Sequence, residues 1–289
     1  MNRNLFLKTF FLIVYFLCPL IKIFPQEYSF YNSFGKFKNA SSFCITSAGF
    51  IYLTDSGTDE VFKLDTLGNI LKYAGGYGWD DGLFDNPSDV YANPLSVYIC
   101  DKNNHRIERF DKDLNFIWQL STRNSDTTDE RFGYPLGCAV SQQGDLYVLD
   151  SENRRIIKFD LFGSFVQNFG GYDAGNYSLT SPKKISVSSD NKIFVLDKDR
   201  LVIFDQFGNG LSIIKLDSEQ TGINIIFNLL TVNNQKEIYF ANLNLPEISL
   251  KKIDLKKSNS LDDIVSSLIF NNKLYILTKN EIQVFNKIN

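Results

Sequence analysis

Along most of its length this chain sets short apolar segments of about four to seven residues between clusters of Gly, Pro, Asn and Asp, the pattern of strands joined by tight turns. The clearest stretch opens at Pro135. GCAVS is a first strand, Gln142-Gln143-Gly144 a turn, and DLYVLD a second strand ending on Asp150. Ser151 to Arg155 form a loop, IIKFD is a third strand, Leu161-Phe162-Gly163 turns again, and SFVQNF is a fourth. The same order recurs from Pro87 (SDVYA, SVYICD, IERFD, NFIWQL) and from Pro182 (KISVS, KIFVLD, LVIFD). Polar residues that close a strand in this way fall at Asp55, Asp101, Asp150, Asp197, Asn242 and Thr278, spaced by 46, 49, 47, 45 and 36 residues.

A fixed period of roughly 40 to 50 residues with four strands per unit is what a β-propeller blade requires. The fold expected is therefore all-β: a six-bladed propeller of four-stranded antiparallel blades. The last unit has LYILT and IQVF but ends at Asn289 without a fourth strand, whereas Tyr28 to Phe34 forms an extra strand before the first unit. Pairing the two would close the ring by joining the N-terminal strand to the last blade, which removes an exposed sheet edge.

Two strings carry a family resemblance. The run from Asp101 through Asn104, His105, Arg106 and Ile107 to Phe110 and Asp111, and the run from Asp150 through Asn153, Arg154, Arg155 and Ile156 to Phe159 and Asp160, resemble the NHL repeat signature. Gly75, Gly76, Tyr77, Gly78, Gly82, Phe84 and Pro87 look like that family's segment between blades. The resemblance extends over residues 28 to 289 and fades in the last two blades, where Asn242 and Thr278 stand in place of the strand-closing aspartate. The structural role expected of Asp55, Asp101, Asp150 and Asp197 is to accept hydrogen bonds from backbone amides of the loop that follows each. Arg106, Arg154 and Arg200 follow them closely and are expected to pair with these carboxylates.

The 26 phenylalanines include Phe62, Phe110, Phe159, Phe204 and Phe285 at the ends of third strands, which suits the packing of one blade on the next. Residues 1 to 26 fall outside the pattern. Arg3 and Lys8 precede an apolar run of 13 residues, Thr9 to Ile21, followed by Lys22. That run is shorter than the ~20 residues of a membrane span and reads as a secretory signal or an uncleaved N-terminal anchor. Leu17 before Cys18 and Pro19 after it do not suit a lipid-attachment motif. The expected organisation is residues 1–26 as signal or anchor and 27–289 as the propeller, secreted or held in the periplasm or cell envelope.

Export changes the charge argument. The chain has 30 basic and 33 acidic side chains, and loss of Arg3, Lys8 and Lys22 leaves 27 basic against the same 33 acidic. Some NHL propellers bind RNA, but an acidic domain lacks the cationic surface that phosphate contact needs, so no nucleic acid is expected as a partner. Cys44, Cys100 and Cys138 are expected as buried small apolar residues, with no disulfide between the first-strand pair Cys44 and Cys138.

Catalytic chemistry has little to draw on. His105 is the only histidine and lies in a repeat turn, and no G-x-S-x-G segment presents a nucleophile. Neither a catalytic residue nor a metal ligand nor a cofactor is assigned. Gluconolactonase-like propellers use an oxygen-ligated metal around the channel, so the alternative is a metal-dependent hydrolase, lactonase or lyase with an oxygen-ligated calcium at the channel mouth. The strands read as lining the channel (FCIT, DVYA, GCAVS, KISVS, LLTV and SLIF) are mostly apolar or small, with Asp89 and Lys184 the charged exceptions.

The links between blades are the most varied segments: Gly75 to Asn86, Ser121 to Tyr134, Gly170 to Ser181 and Ser218 to Ile226. They carry Tyr77, Trp79, Asp80, Asp81, Arg123, Arg131, Tyr134, Tyr172, Asp173 and Tyr177. Aromatics mixed with charges and with adaptable Ser, Gly and Asn are the composition of recognition surfaces. The function expected is a non-catalytic module, monomeric, that binds a protein, peptide or glycan on this loop-rich face.

Overall fold

The computed structural model describes residues 26–256 and 263–288. The proposed signal or anchor segment and Cys18 lie outside them. Each of the first four blades is a four-stranded antiparallel sheet whose strands follow one another from the centre outward. Blade one comprises Ala40–Ile45, Ile51–Asp55, Glu60–Leu64 and Ile70–Gly75. Blade two comprises Pro87–Ala92, Ser96–Asp101, Arg106–Asp111 and Phe116–Leu120. Blade three has Gly137–Val140, Leu146–Asp150, Arg155–Phe159 and Phe165–Phe169, and blade four Pro182–Val187, Ile193–Asp197, Arg200–Phe204 and Gly210–Lys215. A single 3-10 turn, Gly175–Tyr177, is the only helical element among the described residues.

The burial follows from position in the ring. Second strands such as LYVLD and IFVLD are buried at every residue, because neighbouring blades cover both faces of the sheet. That is why they read as continuous apolar runs, while the outer strands mix half-buried with exposed positions. Six apolar clusters form, each shared by two adjoining blades. Tyr98, Ile107, Val140 and Val148 fill the seam between blades two and three, and Phe43, Leu53, Leu268 and Leu277 fill the seam between blades six and one.

Blade six contains Ile264–Phe270, Lys273–Thr278 and Ile282–Lys287, and its outer strand is Glu27–Phe34, antiparallel to Ile282–Lys287. The N-terminal strand thus closes the ring. A short strand, Asp254–Lys256, adds to its outer side in parallel, so the chain leaving blade five also clasps blade six.

Blade five corrects the repeat reading. Its strands are Gly222–Ile226, Leu229–Asn233, Ile238–Asn242 and the two-residue Lys251–Lys252. The segment LLTV is therefore its second strand rather than its first, and Gly222 to Ile226 is the first strand rather than part of a link. The residue equivalent to the strand-closing aspartates is Asn233, opposite Gly222, just as Asp101 lies opposite Pro87. Asn242 closes the third strand instead. The link from Leu216 to Thr221 is unusually short, which brings the Asn233 anchor 36 residues after Asp197 and restores a 45-residue step to Thr278. A steady period placed the anchor one strand too late.

Candidate functional site

The end of the ring where second strands finish carries both the second-to-third loops and the links to the next blade. The links into the first four blades are held there by the same device. In blade one Asp55 accepts from the amides of Lys38, Asn39 and Gly57 at 2.7 to 2.8 Å. Asp101 accepts from the Asp85 amide, Asp150 from that of Gly133, and Asp197 from those of Thr180 and Ser181. Asn104 and Asn153, three residues on from their aspartates, donate side-chain N–H to the second carboxylate oxygen at 2.8 Å. All four aspartates are buried, so these bonds replace the water each carboxylate has lost.

In blades two, three and four an arginine at the head of the third strand completes the device. Arg106 bonds Asp101 at 2.7 Å and donates to the carbonyls of Trp79, Asp80 and Leu83. Arg200 bonds Asp197 and reaches the carbonyls of Asn176 and Ser178. In blade three this residue is Arg155, which lies 3.5 Å from Asp150 and donates to the carbonyls of Thr128 and Arg131. Arg154 occupies the left-handed turn position with φ of 52°, where His105 has 54° in blade two, and it does not make the pairing expected of it.

Glu108, which sequence reading missed, lies fully buried beneath the first link, 3.0 Å from Arg106 and bonded to the Gly82 amide. Burial pushes its carboxyl up to about 8, the Arg106 charge opposing this. Its place in a third strand otherwise rich in alternating polar residues gave no signal of burial.

The links present their side chains unevenly. Tyr77 and Trp79 form an edge-to-face pair with centroids 6.3 Å apart, 66% and 70% exposed, on a loop closed by the Tyr77–Phe84 bridge and stapled by Arg106. Asp80 and Asp81 stand exposed beside them. Arg123 and Tyr134 meet over His105. The guanidinium lies 5.9 Å from the Tyr134 ring and donates to His105 Nδ1 at 2.7 Å. The Tyr134 amide donates to the same nitrogen at 3.1 Å, and the two rings contact edge-on at 4.1 Å. A nitrogen that accepts from two donors carries no proton, so His105 is held neutral with its hydrogen on Nε2. Burial and the Arg123 charge accordingly lower its pKa from the ordinary 6.5.

Arg131 is exposed, with its Nε turned back to the Ser125 carbonyl. Tyr172 is 96% exposed on the third link, with Asp173 exposed next to it. Tyr177 is the exception among the tyrosines: its ring packs 6.2 Å from Phe204 and covers Gly210, where a Cβ would meet it at 2.2 Å. It belongs to the seam between blades three and four rather than to the exposed surface.

The channel differs from this face. Asp89 accepts from Ser42 Oγ at 2.6 Å, Lys184 Nζ at 2.9 Å and the Cys138 amide at 3.2 Å, which ties blades one, two, three and four together. Cys44, Cys100 and Cys138 are free thiols, and burial pushes those of Cys44 and Cys100 up. Among the described residues no group of three or more His, Cys, Asp or Glu side chains converges as a metal site.

Six blades of this topology define a β-propeller, and comparison with solved structures agrees. The chain superposes on a streptogramin B lyase over 90% of its length and 98% of that chain, with a TM-score of 0.62 and 14% identity. It also superposes on the WD40 beta propeller domain of Doa1, over 86% of this chain and 78% of that one, with a TM-score of 0.61 and 11% identity. At those identities the likeness is one of fold. The profile of the NHL repeat matches residues 132–159, which are the Asp150 anchor and the strands around it. Protein brain tumor of Drosophila melanogaster is 33% identical over 142 residues, 47% of this chain and 13% of that protein. NHL repeat-containing protein 3 of Mus musculus is 28% identical over 123 residues, 38% of this chain and 35% of that protein. The chain thus spans about an eighth to a third of these relatives' lengths. It is a six-bladed propeller that carries an NHL repeat at residues 132–159.

Proposed function

We propose that this propeller is an exported, non-catalytic binding module that takes a protein, peptide or glycan partner on its loop-rich face. The observation that carries the reading is the exposure of Tyr77, Trp79, Tyr134 and Tyr172 on links whose backbones are fixed by buried Asp–Arg pairs. Large aromatic side chains on rigid loops lose little entropy on binding and bury much apolar area, which is how binding hot spots work. The Arg123–His105–Tyr134 cluster adds a cation held at a set place beside an aromatic ring.

The metal-dependent hydrolase, lactonase or lyase reading finds less support. The channel carboxylate, Asp89, is already committed to Ser42, Lys184 and the Cys138 amide. The test is affinity capture from cell envelope and culture medium with the wild-type ring and with a variant carrying Tyr77→Ala, Trp79→Ala and Tyr172→Ala. A partner retained by the first and lost by the second, at unchanged thermal midpoint, supports the reading. Absence of a specific partner together with tightly bound calcium in the purified protein would replace it with the enzyme reading.

A further inference from the structure

The face opposite the links is built from the hairpin turns between first and second and between third and fourth strands. It carries a set of apolar tips. Leu67, Leu95, Phe162, Phe207, Phe227 and Leu245 come from all of the first five blades, and each is more than half exposed, Phe162 by 83%.

The turns do not need these residues. Asp65, Asp160 and Asp205 each accept from the amides two and four residues on at 2.8 to 2.9 Å, and that bonding fixes the loop. Leu67, Phe162 and Phe207 occupy the third position of this turn. Blade two has the same turn from Asp111, with the polar Asp113 at that position. Phe227 is less expected still. It sits at φ of +49° in the two-residue turn Phe227–Asn228, a conformation that favours Asn or Gly and that a bulky side chain adopts only at a cost. Apolar side chains have thus been kept at tips where hairpin geometry asks for polar or small ones.

The chain enters the ring at the same end. Tyr28 pairs with Lys287, the residue that closes the third strand of blade six on the turn side, and Phe34 pairs with Ile282 near the link side. Whatever precedes Glu27 therefore reaches the fold from the turn side. The apolar run Thr9 to Ile21 and Lys22 lie immediately upstream. The five residues from Lys22 to Gln26 extend at most about 17 Å.

We propose that the turn face docks on a lipid bilayer, with the apolar tips entering the headgroup and upper acyl region while the N-terminal run holds the ring there. A tether this short leaves the turn face as the one turned to the membrane, and the loop-rich face then points away from it. The contact is apolar: Asp65 and Asp205 keep their charge, their carboxyls held low by the turn amides and side-chain amides that offset their slight desolvation. With Asp65 and Asp205 charged at the turns, it therefore favours zwitterionic over anionic lipid and resists salt.

The full chain reconstituted in phosphatidylcholine vesicles tests this, with Phe162→Trp and Phe207→Trp as reporters on the turn face and Tyr172→Trp on the link face. Lipids brominated on the upper acyl chain should quench the added emission of the two turn reporters several-fold more than that of Tyr172→Trp, at low and high salt alike. The pair Leu67→Glu and Phe227→Glu should reduce that quenching. Equal quenching on both faces, failure of the full chain to sediment with vesicles, or self-association through the turn face in sedimentation without vesicles would each overturn the proposal. The loop-face binding reading does not depend on it.

Discussion

At the scale of single residues, the link face depends on the protonation of His105. The Arg123 guanidinium and the Tyr134 amide both donate to its Nδ1, and a proton there would leave both donors without an acceptor. Its folded pKa is lowered below the ordinary 6.5, so the stability it contributes is present above that value and is lost as pH falls through the lower folded value. The groups that face it are Arg123 and, beyond it, Glu152 at 3.9 Å from Arg123. Hydrogen exchange at the Tyr134 amide, corrected for intrinsic rate, should therefore quicken as pH falls below 6.5 through the lower folded value. His105→Asn tolerates the positive φ and offers a side-chain oxygen in place of Nδ1, so it should keep the slow exchange and lose the pH dependence. An equally steep pH response in that variant would remove His105 from the account.

At the scale of elements, the repeat was legible wherever chemistry and geometry coincide. Asp101 and Asp150 mark strand ends because a buried carboxylate must find amides, and their turn asparagines are visible three residues later. Blade five was misplaced because its anchor is Asn233, whose amide has no charge to set it apart from Asn242, and because the short preceding link breaks the period. Arg155 and Arg154 are adjacent arginines, and only the left-handed φ at the second tells them apart. The packing of half-buried Tyr177 into the seam was equally invisible, since it depends on the missing side chain of Gly210. Ring closure was legible because a strand count left one blade short and one strand over. Its energetic weight is open to a direct check. Tyr28 is buried in the seam of blades five and six and Phe30 packs edge-on against Phe285 at 5.6 Å. Deleting Glu27–Phe34 exposes the whole edge of Ile282–Lys287 and strands the parallel partner Asp254–Lys256. The truncated chain should elute as aggregates in size-exclusion chromatography, as open edges pair with one another. A monomer of unchanged thermal midpoint would show that closure contributes little.

At the scale of the molecule, the six seams have no partition between them. Every described blade shares one apolar cluster with the blade before it and another with the blade after, and Asp89 spans several first strands across the channel. An open solenoid of repeats frays from its ends, but a closed ring has none. Loss of packing at any seam should therefore lower one common transition. Leu149 lies in the seam of blades three and four, and Leu277 lies in that of blades six and one. Both are fully buried, so Leu149→Ala and Leu277→Ala should each cost about 2–5 kcal/mol. Because they share no neighbours, the double variant should lose close to the sum. Unfolding followed by tryptophan fluorescence reports Trp79 and Trp118, which sit on the blade-two side of the ring, while far-ultraviolet circular dichroism reports every strand. The two signals should move together in all three variants. If Leu277→Ala shifted the dichroism transition and left the fluorescence transition in place, the ring would be unfolding in sectors, and the closure strand would be a local clasp rather than the lock of the whole.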